Sequence, residues 1–475
     1  MNSSFTTRTR RTRRVALPLF ATATAAALVL AGCSGSSDAD TGDKAAAKLP
    51  TGQNIVVSFI SPAPAEQPAM DYLKATFETQ FPGNTLTFAN TTWPTRTDDY
   101  EKSVVKGEGT VPDVIELGNT DVPTYSSQGV LTDITGKFDD LGGADLLKGL
   151  VQSGTYDGKF YAAPFYAGAR VVWYDSKDVT LTNPATLGDL VHNGTALRKV
   201  DYAGLFLPGR DWHDDIAFVY TNGGYIAQQQ DDGSWKAGFS TADSIRGLKQ
   251  FQQAFQEANN DTVAPANTDE TTNADLGEVP ANRYQFCAGK VGYLPGDVSL
   301  GPAMQTSVET LKKTNAEDIA KDPKYVDSVC PNGHAKEVKA FAMPGLTPGT
   351  VAKTFAGGSN FAIPAKSEHQ QLAYEALKIM TSQGFQDLLA VQAMIPGRIS
   401  SSVHLPQDAT SLEAAKSALE AVSTPAAPNW RDVEDSKVLD DAFQKIAKGG
   451  DVTKIAADLD AQIEKILNAP TKADG

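Results

Sequence analysis

Cysteine and histidine are both scarce in this 475-residue chain, with three and five copies respectively. His192, His213, His334, His369 and His404 are scattered without metal-ligand spacing, so no metal or other cofactor is expected. There is no G-x-S-x-G, H-E-x-x-H, phosphate-binding P-loop or C-x-x-C, and the corresponding hydrolase, metalloprotease, nucleotide and dithiol chemistries lack their motif. Basic residues are in deficit, 42 Lys and Arg against 57 Asp and Glu, for a formal net charge of -15. A chain this acidic repels phosphate backbones, which argues against nucleic acid as a partner. Past the N-terminus no segment approaches the roughly 18 consecutive apolar residues of a spanning helix.

The N-terminus itself is informative. Arg8, Arg10, Arg11, Arg13 and Arg14 precede an apolar run from Val15 to Ala31, which meets Leu30-Ala31-Gly32-Cys33. A basic start, a short apolar core and small residues before a break describe a secretory signal over residues 1–32. The cysteine after Leu-Ala-Gly resembles the bacterial lipoprotein box, which implies acylation of Cys33 and an extracytoplasmic protein anchored to the cell membrane. Export by the general or the twin-arginine route stays open. Ser34 to Lys48 carry no large apolar side chain, so residues 33–53 read as a flexible tether. Loss of the five leader arginines takes the net charge to -20. Cys287 and Cys330 remain, and an exported chain permits one disulfide between them; two free thiols are the alternative.

Periodicity points to an α/β fold. Ile55, Val57 and Phe59 alternate on a first strand, and Met70, Leu73, Phe77 and Phe81 recur at helical spacing until Pro82-Gly83-Asn84. Further strands follow at Leu86–Phe88 and Val114–Leu117; strand, helix, strand with short turns predicts a parallel sheet. Near the C-terminus helices are expected over Leu372–Met380, Val438–Ile446 and Ile455–Ile466, with Asp451 capping the last.

Several stretches, read in order, resemble the extracellular solute-binding proteins of carbohydrate importers, the family that includes the bacterial maltose-binding protein. They are Pro112-Asp113-Val114-Ile115 with Gly118-Asn119-Thr120-Asp121, then Tyr156 to Pro164 followed by Val171 to Asp175. Asn222-Gly223-Gly224-Tyr225 comes next, then Gly357 to Pro364 leading to Pro396-Gly397-Arg398, and finally Pro428-Asn429-Trp430. The chain departs from the family at Gly289 to Asp297, where a ligand-stacking tryptophan is expected and absent.

The resemblance implies a two-lobed periplasmic-binding-protein fold (type II), with hinge-linked lobes and a ligand cleft between them. Lobe 1 would hold 54–165 and 343–395, and lobe 2 would hold 166–342 and 396–470. Crossings would fall near Tyr166–Arg170, Phe341–Pro344 and Ile395–Arg398. It also implies a monomer that captures a sugar or oligosaccharide and delivers it to the permease subunits of an ATP-binding-cassette importer, without catalysis. A sugar needs fixed polar groups for its hydroxyls and rings for its C–H faces. By that pattern Asp121 binds a hydroxyl, although locally it reads equally as a helix cap. Asp211, Trp212 and His213 form a polar-aromatic loop, with a core role competing for Trp212. Tyr166 and Arg170 sit at a crossing, where Arg170 alternatively makes a structural ion pair. Gly358, Ser359 and Asn360 either face the ligand or form an ordinary turn. Trp93 and Trp430 are stacking platforms or packing residues, and Asp297 is a further candidate. The rival readings are a polyamine or glycerophosphodiester as ligand, an exported glycan-active enzyme, and a purely structural lipoprotein.

Overall fold

The computed structural model describes residues 49–471 apart from 94, 182, 268–280, 306–312 and 314–336. They belong to the second of two units, Leu49–Gly475. The expected leader, Cys33 and Cys330 lie outside the described residues. Cys287 is disulfide-bonded.

Ten strands build two sheets: β1 (Asn54–Ser58), β2 (Thr85–Phe88), β3 (Val114–Gly118), β4 (Ala162–Gly168), β5 (Arg170–Asp175), β6 (Ala203–Leu205), β7 (Val291–Asp297), β8 (Val338–Ala342), β9 (Gly357–Ala362) and β10 (Ile395–Pro396). The first sheet has the order β10-β4-β9-β3-β1-β2 and the second β8-β5-β7-β6. β1 pairs parallel with both β2 and β3, as strand-helix-strand alternation predicts. β9 returns from the second lobe and enters antiparallel between β3 and β4. Its register slips between Ser359 and Asn360, opposite Tyr166 and Pro164. Pro164 has no N–H to give a ladder there, and the bulge re-aims the start of β9.

The elements that position the cleft are helices α1 (Gln67–Gln80), α2 (Arg96–Tyr100), α3 (Val122–Ser127), α4 (Trp212–Thr221), α5 (Trp430–Asp435), α6 (Val438–Ala447) and α7 (Val452–Leu467). α1 buries Met70, Leu73 and Phe77 against β1 residues Ile55 and Val57. It ends where the Phe81 N–H caps Phe77 O at 2.9 Å and Gly83 takes φ +89°. The expected cap of α7 is present, with the Lys454 N–H donating to Asp451 Oδ1 at 3.1 Å.

Three segments differ from their expected assignment. Leu49–Gln53, expected in the tether, are tied into the fold: Leu49 packs on the first core, and the Gln53 N–H donates to Asn84 Oδ1 at 2.9 Å. Met343, Ala352 and Phe355, expected in lobe 1, pack in the core of the second sheet, because the chain turns back on itself after β8 before reaching β9. Residues just past β10 stay beside the first sheet, where Arg398 Nε pairs with Asp145 Oδ2 at 2.7 Å. At the crossings a separate apolar cluster joins Leu150, Ala167 and Ile395 to Trp173 and Leu294. It packs residues of the first sheet against residues of the second.

Candidate functional site

Elements of both lobes surround a cleft of about 320 Å³. On the first-lobe side it is lined by Trp93 and Arg96, by Gly118-Asn119-Thr120 at the end of β3, and by Gly357-Gly358 at the start of β9. Two bonds hold these loops in register: the Asn119 N–H donates to Gly358 O at 3.1 Å, and Asn119 Nδ2 to Ala356 O at 2.8 Å. Gly358 sits at φ +112°, and a Cβ there would stand 2.3 Å from Tyr166 O, so only glycine fits. A Cβ on Gly118 would press on Asp121 Oδ2 at 3.3 Å and Trp93 Cζ3 at 3.4 Å. Both glycines leave backbone open at the cleft.

The facing wall is aromatic. Trp212 and His213 open α4 and stack at 4.1 Å, 29° between planes. Phe355 meets both edge-on, at 5.3 and 5.0 Å. Asp211 caps the helix by accepting the His213 N–H at 2.9 Å, and it holds His213 Nδ1 at 3.0 Å. These two contacts to one carboxylate oxygen set the orientation of the His213 ring. Across the cleft Trp93, 38% exposed, carries the Arg96 guanidinium 5.0 Å from its ring centroid. α5 contributes Arg431, Glu434 and Asp435, and Lys437 follows. Burial pushes the Glu434 carboxyl up to about 7, with the charge of Asp121 adding to the rise.

Trp93, Trp212, His213 and Gly358 are therefore brought to one cavity. The other expected residues are placed elsewhere. Asp121 makes no side-chain cap and does not line the cleft; its two oxygens accept from Arg96 Nε at 3.1 Å and Arg431 Nη1 at 2.8 Å. Arg170 lies one layer back, paired with Asp214 and 5.4 Å from the Phe355 ring. Asp211 stands behind His213. Tyr166 packs edge-on to Phe165 at 4.8 Å within the first core. Ser359 and Asn360 are fully buried, and Asn360 Nδ2 braces the helix over 148–153 by donating to Leu150 O at 3.0 Å. Asp297 closes a turn by accepting the Ser299 N–H at 2.8 Å. Trp430 is fully buried and meets Trp212 edge-on at 5.9 Å, supporting the aromatic wall from below.

Arg96, Phe355, Arg431, Glu434 and Lys437 carry no motif that singles them out. The available signal was proximity: Arg96 follows Trp93 by three residues, and Arg431 and Glu434 follow Trp430 on one short helix. Phe355 has no such signal. Among the described residues no cluster of His, Cys, Asp or Glu could hold a metal ion, and no helix is long and apolar enough to cross a membrane. Rings on facing walls, with short polar and charged groups between them, suit a polar solute that has an apolar face.

The diacetylchitobiose-binding protein DasA of Streptomyces coelicolor is 28% identical over 448 residues, covering 92% of this chain and 94% of that one. In fold, the chain is similar to the GacH receptor of Streptomyces glaucescens, solved unliganded and with acarbose, at 17% identity and a TM-score of 0.65 over 88% of this chain and 99% of that one. It is likewise similar to the sugar-binding protein MalE of Xanthomonas citri, at 16% identity and a TM-score of 0.68 over 87% and 97%. Residues 73–404 match the family described as bacterial extracellular solute-binding protein. The chain, with its two sheets and intervening cleft, belongs to that family.

Proposed function

We propose that this chain captures a short oligosaccharide outside the membrane and passes it to the permease of an ATP-binding-cassette importer, binding it without turnover. The observation that carries this reading is the pair of aromatic walls, Trp93 from one lobe and Trp212, His213 and Phe355 from the other, facing one cleft. Rings so placed take the two C–H faces of a pyranose, while backbone at Gly118 and Gly358 and the side chains of Asn119, Thr120 and Glu434 meet its hydroxyls. The similarity to a diacetylchitobiose-binding protein over nearly the whole chain makes an N-acetylated amino-sugar disaccharide the first ligand to test. Arg96 and Arg431 both answer to Asp121, which counts against a phosphodiester. Asp121 and Asp435 are both engaged by Arg431, which counts against a polyamine.

In this reading lobe 1 runs from Leu49 through β4 and again from β9 to about residue 404, and lobe 2 holds the remainder. Trp93, His213, Phe355, Gly358 and Glu434 contact the ligand, and Trp212, only 2% exposed and part of the second core, backs His213. The chain works as a monomer anchored through lipidated Cys33. Calorimetric titration with diacetylchitobiose, N-acetylglucosamine, maltose, maltotriose, spermidine and glycerophosphocholine tests it. Binding of a sugar that is recovered unchanged supports the reading. Binding of only spermidine or the phosphodiester overturns the sugar, and consumption of the sugar overturns the absence of catalysis.

A further inference from the structure

α5 is built into the second lobe, with Trp430 and Val433 buried in its core. Its Arg431 nevertheless reaches across the cleft edge to the first lobe. Nη1 donates to Asp121 Oδ1 at 2.8 Å, and Nη2 to Thr97 Oγ1 at 2.6 Å. Nε is held by Asp435 of the same helix at 3.2 Å, which fixes the plane of the guanidinium. One turn back, Pro428 O accepts from Thr124 Oγ1 at 2.9 Å, a second tie from the same segment to α3. The Asp121 side chain is only 3% exposed, and its other oxygen is taken by Arg96 of the first lobe. Each of these links is made between the chain's own atoms.

We propose that Arg431 and Asp121 form a latch that draws the lobes together before any solute arrives. It rests on the hinged two-lobe reading and not on the identity of the ligand. A charge-assisted bond to a nearly buried carboxylate is made in the closed arrangement and lost on opening. Its free energy therefore adds directly to the closed population. Apparent affinity scales with the fraction of molecules in the binding-competent form, so the latch sets how much of the ligand's binding energy goes into closing the lobes. Asp121, placed by sequence at the ligand, acts here as a positioning residue for two arginines drawn from opposite sides of the cleft.

The test is a distance measurement between the lobes without ligand. Nitroxide labels are placed at Thr79→Cys on α1 and Val200→Cys on the second lobe, both exposed, in the full chain with Cys33→Ser. The unliganded protein is expected to give mainly a short distance, and Arg431→Gln and Asp121→Asn to shift the population to longer ones. The double variant should be no more open than either single one, and affinity for the titrated sugar should fall on the order of tenfold. Arg210→Gln, which breaks an ion pair to Asp441 inside the second lobe, should leave the distances unchanged. Thr97→Val removes one acceptor and no charge, so a smaller shift in the same direction is expected even where Arg431→Gln fails to fold. Unchanged distances in both Arg431→Gln and Thr97→Val overturn the latch, as does an unliganded protein that is already fully open. Because the readout needs no ligand, it stands or falls apart from the sugar reading.

Discussion

Two tryptophans of this chain look alike in sequence and differ in what holds them. Trp93 sits on a loop, 38% exposed, with one face toward the cleft, whereas Trp430 is fully buried beneath Trp212. Trp93→Ala removes a stacking surface but little core, so calorimetry should show roughly tenfold weaker sugar binding while the melting temperature stays close to that of the parent protein. Trp430→Ala opens a cavity under the aromatic wall, and denaturant titration should record a loss of about 3–5 kcal/mol. Exposure decides which cost appears. The same distinction governs Asp121. Its acid character was readable, but its partners are Arg96 and Arg431, the second of them 310 positions away. No local pattern records a bond across that span, and a hydroxyl-binding acid and an ion-pair node are identical in one dimension.

Elements were more legible than contacts, because their signals are local. The alternation of Ile55, Val57 and Phe59, the spacing of Met70, Leu73 and Phe77, and Asp451 ahead of the last helix all correspond to observed structure. What stayed hidden was the turn between β8 and β9: Met343 and Phe355 are apolar, but nothing in their order says which of two cores receives them. Asn360 shows the same limit. It lies on a glycine-rich strand that resembles a ligand loop, yet its amide is turned inward to brace the helix over 148–153. Asn360→Ala removes one of three donors to the Leu150 carbonyl, which keeps the Ser153 hydroxyl and the Gly154 N–H, so thermal or denaturant unfolding should show only about 0.5–1.5 kcal/mol less stability. Sugar affinity, measured where the variant is folded, should change less than twofold. A large affinity loss with unchanged stability would return Asn360 to the binding site.

On the scale of the molecule, the first lobe encloses acids that do not belong to the cleft. Burial raises the Glu116 carboxyl from 4.5 to about 8 and the Glu66 carboxyl to about 7. In the second lobe Asp215 is pushed well up by burial and by Asp211 and Asp214. Below the unfolded value, near 4.5 for glutamate, both states hold the proton and the folded state keeps its full advantage. As pH rises from there to about 8 the unfolded chain has already released a proton that the folded chain still holds. Stability therefore falls across that window, by about 1.4 kcal/mol per pH unit for each such group. Melting curves from pH 5 to 8.5 should show a steady decline, and Glu116→Gln should flatten it, most clearly in the upper half of the range.

β9 also has a bearing on how the protein is made. It lies between β3 and β4, and among the described residues no other strand joins those two. Its residues, 357–362, are synthesised long after both neighbours. A nascent chain that has emerged through β8 thus owns every other strand of the first sheet except β10, yet cannot assemble the sheet across its middle. Early synthesis yields the three strands β3-β1-β2 and, apart from them, β4 alone, and only the late arrival of β9 joins the two. Completion of the first sheet therefore waits until most of the polypeptide exists, whereas every strand of the second sheet precedes β9.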